Sequence, residues 1–281
     1  MCEQVEGAAR GRARSSPDDP ATSYPGGRAV SVYVGQRDVV LVSGADAASY
    51  LQGQISQDVD AIAVGSSANS LILQPQGKID AWFRITRVGD GEFALDVDAG
   101  WGDVLMARLK RFMLRVKVEL ALESWHFHAY RGETPAALDA PIVAVVDNGV
   151  DVLAPELVPP TADLMSDEQY AAMRISAGRP AMGSELSEDT IPAAAGIVNE
   201  SASFTKGCYT GQELVARVDS RGNNTPVQLR RFAGDGAVPS VGDAVAVDGA
   251  DVATLTSVAP TDSGWLALGY LKRSAADAST A

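Results

Sequence analysis

The chain has 281 residues, a net charge of −13 and two cysteines, Cys2 and Cys208. Such acidity disfavours binding along a phosphate backbone, and two thiols give neither a disulfide framework nor the roughly four thiolates of a resident iron–sulfur site. Hydrophobic residues make up 46% and charged residues 21%, and no apolar run approaches the roughly 18 residues of a membrane helix, so the reading is a globular protein of a reducing cytoplasm with ample material for a core.

Residues 1–28 are rich in Ala, Arg, Ser, Pro and Gly and carry four basic and four acidic side chains, so the whole net charge falls on the rest of the chain. They read as a disordered tail and not as a secretory signal. Order is predicted to begin with apolar runs at 29–34 and 39–42. A helix is predicted over 44–54, with Asp46 in its first turn. Residues 70–74 and 79–88 form a predicted hairpin about the turn Pro75-Gln76-Gly77, in which Ile79, Ala81, Phe83 and Ile85 alternate with Asp80, Trp82, Arg84 and Thr86. Phe93, Leu95 and Val97 mark another strand. Trp101, Leu105, Leu109 and Phe112 share one face of a helix over 101–112, and 114–122 alternates as a strand.

The segment 134–160 is Pro- and Ala-rich around a strand at 142–146, and Ser166 with Gln169 reads as a capping box opening a helix to about 177. Residues 179–204 read as irregular. Beyond Asn224 short strands alternate with turns, at 227–233, 244–247, 252–258 and 265–271, the pattern of a small β-barrel. The fold class is α+β, with 29–222 as the main domain and 223–281 as the barrel.

The segment Lys206 to Glu213, KGCYTGQE, concentrates the most chemistry. Thr210 and Glu213 have the spacing of a capping box, and Gly207 and Gly211 allow tight turns on either side of Cys208. A thiol ahead of a helix N-terminus and near Lys206 is favoured as thiolate; the bland alternative is a small buried residue. Lys206 either tunes that thiol, joining it as a catalytic group, or is a solvated lysine. Tyr209 either stacks on a ligand ring or packs. Gln212 is a further polar candidate. Arg217 and Arg221, four apart, share a face for carboxylates or solvent. Asp80 and Trp82 share one face of a strand and could line a pocket. Arg108, Lys110, Arg111, Arg115 and Lys117 concentrate cations for an acidic tail or partner, or form a solvated face. His126 and His128 alone are a weak metal signal, and no metal site is assigned.

KGCYTGQE followed by LVARVDSRG resembles the signature of the YgfZ family, within the superfamily of the glycine-cleavage T-protein, a tetrahydrofolate-dependent aminomethyltransferase. Segments at 44–59, 71–85, 108–120, 174–186 and 252–273 fit in order, so the resemblance covers about residues 30–273. It implies a three-lobed arrangement, two interwoven α+β subdomains and a C-terminal β-barrel around a central folate channel. It implies tetrahydrofolate or a 5-formyl or 5,10-methylene derivative as ligand, with Asp80, Trp82, Tyr209, Gln212, Arg217 and Arg221 as candidate contacts. It also implies a role in iron–sulfur cluster assembly or repair, with Cys208 as nucleophile or as one ligand of a transient cluster shared with a client or assembly protein. Neither direct nucleic-acid binding nor membrane association is expected. T-proteins resemble RLEAG where this chain has Ser176 in place of the glutamate, carry two aspartates where it has Asp80 and Ala81, and lack the Cys208 motif. The balance points to the YgfZ-like branch. One-carbon transfer to tetrahydrofolate and a non-catalytic binding module are the alternatives, and whether the chain is an enzyme stays open.

Overall fold

The computed structural model describes residues 30–132, 135, 138–247 and 250–276. The predicted tail and Cys2 lie outside the described residues. The described residues divide into two compact units, one within 30–167 and 181–226, the other within 168–180 and 227–276.

The larger unit is built on strands β1 (Ser31–Ser43), β2 (Ser67–Leu73), β3 (Ile79–Gly89), β4 (Glu92–Asp98), β5 (Glu119–Arg131), β6 (Ile142–Val146) and β7 (Gly149–Ala154). They pair in the order β2-β3-β4-β1-β5-β7-β6, and β8 (Asp163–Leu164) runs parallel to the start of β1. The hairpin predicted around Gly77 is β2–β3. The two apolar runs predicted as separate elements are one strand, β1. Its polar middle survives because Arg37 is neutralised across the sheet, by Asp96 at 2.7 Å and Asp98 at 2.6 Å.

Burial along β3 departs from simple alternation. From Ile79 to Thr86 only Asp80 escapes full burial, although Trp82, Arg84 and Thr86 sit opposite the apolar set. One face feeds a core of Leu51, Ile55, Leu71, Phe83, Phe93 and Leu105. The other carries ions: Arg84 binds Asp96 on β4 at 2.8 Å and Asp151 on β7 at 3.0 Å, and Arg131 on β5 binds Asp151 at 2.8 Å. In a flat sheet β3 and β7, four strands apart, would be about 19 Å from each other. The Arg84–Asp151 contact therefore requires the sheet to curl. Burial alone would raise the Asp151 carboxyl, but Arg84 and Arg131 outweigh it and hold it below the ordinary carboxylate range.

Helices α1 (Ala47–Gln54) and α2 (Gly102–Lys110) pack against this sheet. The helix predicted over 101–112 ends at Lys110, leaving Phe112 40% exposed. The strand predicted at 114–122 begins only at Glu119, because Arg115 takes a left-handed φ of 58° that no strand tolerates. The region predicted as irregular contains two short helices, α4 (Pro192–Ala195) and α5 (Val198–Ser201), and the cysteine loop leads into α6 (Gln212–Asp219). No helix of the described residues is long and apolar enough to cross a membrane.

The second unit is a four-stranded antiparallel sheet, order β10-β11-β12-β9, of β9 (Val227–Gly234), β10 (Ala244–Val247), β11 (Ala250–Thr261) and β12 (Gly264–Lys272). A register shift bends β11 at Leu255/Ser257. The helix α3 (Asp167–Ser176) belongs with this sheet: Ala172 and Ile175 pack on Leu229, Ala259 and Leu268, and Arg174 donates to the Ser257 hydroxyl at 2.7 Å. The short helix α7 (Arg273–Ala276) follows β12.

Candidate functional site

The loop from Ser203 to Gly211 is pinned at both ends, and Cys208 stands between the pins. At the far end, Gly211 is the N-cap residue of α6 with φ 83°. A Cβ there would lie 2.6 Å from the Gln74 carbonyl oxygen and 2.8 Å from Leu73 Cβ. Gly77, in the β2–β3 turn with φ 73°, faces back: a Cβ on it would come within 2.6 Å of Leu214 Cβ and 3.2 Å of the Gly211 carbonyl. Two glycines thus let the loop and the hairpin turn meet backbone to backbone. This corrects the predicted capping box, since Thr210 precedes the cap and no side chain bonds the helix N-terminus. Glu213 instead sits exposed in the first turn, where the helix dipole favours a carboxylate.

At the near end, the Ser203 N–H donates to the Ser56 carbonyl at 2.9 Å. The Lys206 ammonium donates to three backbone carbonyls, of Gln52 at 2.6 Å, Ile55 at 2.7 Å and Gln57 at 2.9 Å. These lie at and just beyond the C-terminus of α1, where carbonyls lack helical partners and the dipole favours a cation. Burial pushes the Lys206 ammonium down to about 8, with Asp58 and Asp60 working the other way. Its charge also sits 5.2 Å from the centre of the Tyr209 ring. The hydrogen bonds of Lys206 therefore go to carbonyls, and its role in this geometry is to anchor the loop. Cys208 is exposed, and its sulfur has no hydrogen-bond partner among the described residues.

Tyr209 is buried at 7% exposure, and burial raises its phenol to about 12. Its hydroxyl has no hydrogen-bond partner among the described residues. The Tyr209 N–H reaches the Gln212 side-chain oxygen at 3.4 Å. Lys206, Cys208, Tyr209 and Gln212 thus form one local cluster. Trp82 is sealed in the core, its indole N–H donating to the Ser201 hydroxyl at 2.8 Å at the end of α5. Asp80 accepts a bond from Arg108 Nε at 2.9 Å and keeps 19% side-chain exposure. Arg217 and Arg221 are exposed at the end of α6, their guanidinium groups without hydrogen bonds or ion pairs among the described residues.

Arg108 was grouped by sequence with a surface basic run, yet it is 8% exposed. Besides Asp80 it donates to the Leu73 carbonyl at 2.9 Å and lies over the Phe112 ring at 4.6 Å, while Nη1 has no hydrogen-bond partner among the described residues. The signal that marks it is helical phase: Trp101, Leu105 and Arg108 fall on one stripe at i, i+4 and i+7. His128 is buried and pushed down by burial, with His126 adding to the effect, and no group of three His, Cys, Asp or Glu converges on a metal geometry among the described residues.

No protein-family model matches the chain. It is 30% identical over 237 residues to the tRNA-modifying protein YgfZ of Enterobacter sp. (strain 638), covering 72% of this chain and 71% of that one. The protein of the same name from Yersinia enterocolitica is 28% identical over 236 residues, covering 73% and 71%. An uncharacterized protein of Haemophilus influenzae is 31% identical over 194 residues, covering 67% and 68%. Among solved structures, the glycine cleavage system aminomethyltransferase T from Bartonella henselae matches with a TM-score of 0.74 at 15% identity, covering 88% of this chain and 80% of that one. At that identity the match speaks for the fold.

Proposed function

The chain belongs to the YgfZ family, and from that premise we propose that it is a folate-binding protein that supports assembly or repair of iron–sulfur clusters in client enzymes. The observation that carries this reading is the exposed Cys208 thiol on a loop held by Lys206 at one end and Gly211 at the other. A fixed loop presents a thiol to a partner at low ordering cost. In this reading Cys208 gives one thiolate to a cluster or to sulfur in transit, and the partner supplies the remaining ligands. Relatives are named tRNA-modifying protein YgfZ, and in this reading the client is an enzyme that acts in tRNA modification.

The residues present fit a folate by chemical kind. Asp80 retains one carboxylate oxygen without a partner among the described residues, with Arg108 fixing the other, so it can accept from a ring N–H. Arg217 and Arg221, exposed and without ion pairs among the described residues, can meet the carboxylates of the tail. Trp82 and Tyr209 are buried, so in this reading they support the site from within. Gln212 belongs to the loop cluster. When bound, the folate would supply a one-carbon carrier beside the thiol, within the T-protein-like channel and three-lobed arrangement of the superfamily.

Calorimetric titration with 5-formyltetrahydrofolate tests the ligand, and no heat of binding would leave only a protein-binding module. Complementation tests the thiol: in a host lacking the gene, wild type restores iron–sulfur enzyme activity and Cys208→Ala does not. Equal rescue by both removes Cys208 from the function. The aminomethyltransferase T fold favours a second reading, one-carbon transfer to tetrahydrofolate. Turnover with an aminomethyl-loaded lipoyl carrier would establish it over the first.

A further inference from the structure

The segment from Lys110 to Lys117 stands outside the site described above. Lys110, Arg111, Arg115 and Lys117 are exposed, and among the described residues none of their side chains makes an ion pair or a hydrogen bond. In a chain with 36 acidic and 23 basic residues, four cations with no acidic residue among them in sequence mark a local excess of positive charge, offset at its end by the Asp46 carboxylate against the Lys117 N–H. Between them stand Phe112, 40% exposed, and Leu114, 79% exposed. The intervening Met113 and Val116 turn inward onto the core. The core is therefore already served by every second or third residue, and Phe112 and Leu114 are displayed.

The display is held in shape from below. The Lys117 N–H donates to the Asp46 carboxylate at 2.7 Å, and the Asp46 N–H returns a bond to the Lys117 carbonyl at 3.3 Å. Gly44 lies so close beneath that a Cβ would stand 2.2 Å from that carbonyl. Arg115 is held at φ 58°, a left-handed conformation unfavourable for an arginine. Rigid apolar knobs ringed by cations need two things of an occupant, negative charge and an apolar recess.

We infer that this segment is a docking surface for an acidic protein surface carrying an apolar recess, with Leu114 as the knob and Lys110, Arg111, Arg115 and Lys117 as the charged rim. A phosphate backbone matches less well. Leu114 has no ring to stack on a base, the Phe112 ring already carries the Arg108 guanidinium at 4.6 Å, and a long polyanion would meet the repulsion of the −13 body beyond the patch. A compact acidic surface engages the patch within about one Debye length. The inference does not depend on folate binding.

Fluorescence anisotropy tests it on the full chain with four probes: a labelled peptide of glutamates interspersed with leucines, labelled polyglutamate, bulk tRNA, and phosphatidylglycerol vesicles. The glutamate–leucine peptide should bind, bind less as salt rises, and weaken at least about fivefold with Leu114→Ser, the effect of losing an interface anchor of roughly 1 kcal/mol. The double variant Arg111→Glu/Arg115→Glu should abolish binding, and Leu114→Ser alone carries the test if that variant misfolds. Absence of peptide binding overturns the inference. So does equal binding of polyglutamate with no effect of Leu114→Ser, which would mean a simple anion patch. Tighter binding of tRNA or vesicles through the same residues also overturns it.

Discussion

Two loops of the larger unit draw on the same residue types and use them in opposite ways. In Ser203–Gly211 the cation is turned inward: Lys206 is buried against three carbonyls, and glycine replaces side-chain volume where Gly211 meets the hairpin turn. In Lys110–Lys117 the cations face water and the strain is carried by an arginine, Arg115 at φ 58°. What decides between them is the supply of acceptors. The end of α1 leaves carbonyls free within reach of Lys206, whereas among the described residues the Lys110 and Lys117 side chains bond to no acceptor. One loop is fixed so that the exposed Cys208 has a defined place; the other is fixed so that a whole surface does.

The sharpest way to break the contrast is Gly211→Ala. The new Cβ would need 2.6 Å from the Gln74 carbonyl in a left-handed backbone, and neither neighbour is a flexible side-chain end. Strain and clash together should cost about 3 kcal/mol, read as a lower urea midpoint. Lys206→Met comes next. It leaves three acceptors at the end of α1 short of a donor and should cost about 2 kcal/mol, while Lys117→Met stays within about 0.5 kcal/mol. The pH dependence carries its own sign. Folded Lys206 releases its proton near 8 rather than 10.5, so across that window the unfolded chain holds a proton that the folded chain lacks. The lysine's contribution therefore rises with pH. The stability gap between wild type and Lys206→Met should widen from pH 8 to 10 in denaturant titrations, and a gap that narrows would contradict the burial of the ammonium.

Much of this was legible in the sequence, and the two loops show where legibility stops. Local patterns located the hairpin about Gly77, the strand at 142–146 and all four strands of the second unit. KGCYTGQE reads as a glycine-flanked thiol ahead of a helix, and that helix is α6. The capping box was misplaced because Thr-x-x-Glu satisfies the spacing rule while Gly211, one residue on, can take the positive φ that contact with Gln74 demands. That demand comes from a turn more than 130 residues away in sequence. The destination of Lys206 is set by carbonyls about 150 residues distant, which no local pattern encodes. Arg84 and Asp151 were invisible as partners for a related reason, since they meet only when the sheet curls. The strand predicted at 114–122 starts late, at Glu119, because alternation of polar and apolar residues also describes a loop that turns Met113 and Val116 inward and Leu114 outward.

A smaller difference is predicted at Arg115, and it separates shape from charge in the outward-facing loop. If φ 58° is imposed by the bonds between Lys117 and Asp46, any residue at 115 must pay for the left-handed region, and asparagine pays less than alanine. Arg115→Asn and Arg115→Ala both remove the cation, so their difference reports backbone strain alone. Asn should be the more stable by about 0.5 to 1 kcal/mol in urea melts, with both weakening the glutamate–leucine peptide equally. A more stable alanine variant would mean that the loop relaxes out of the left-handed conformation, and the rigid display would then be set by Met113 and Val116 alone. In the cysteine loop the corresponding relaxation is closed off, because at Gly211 the obstacle is neighbouring backbone as well as φ.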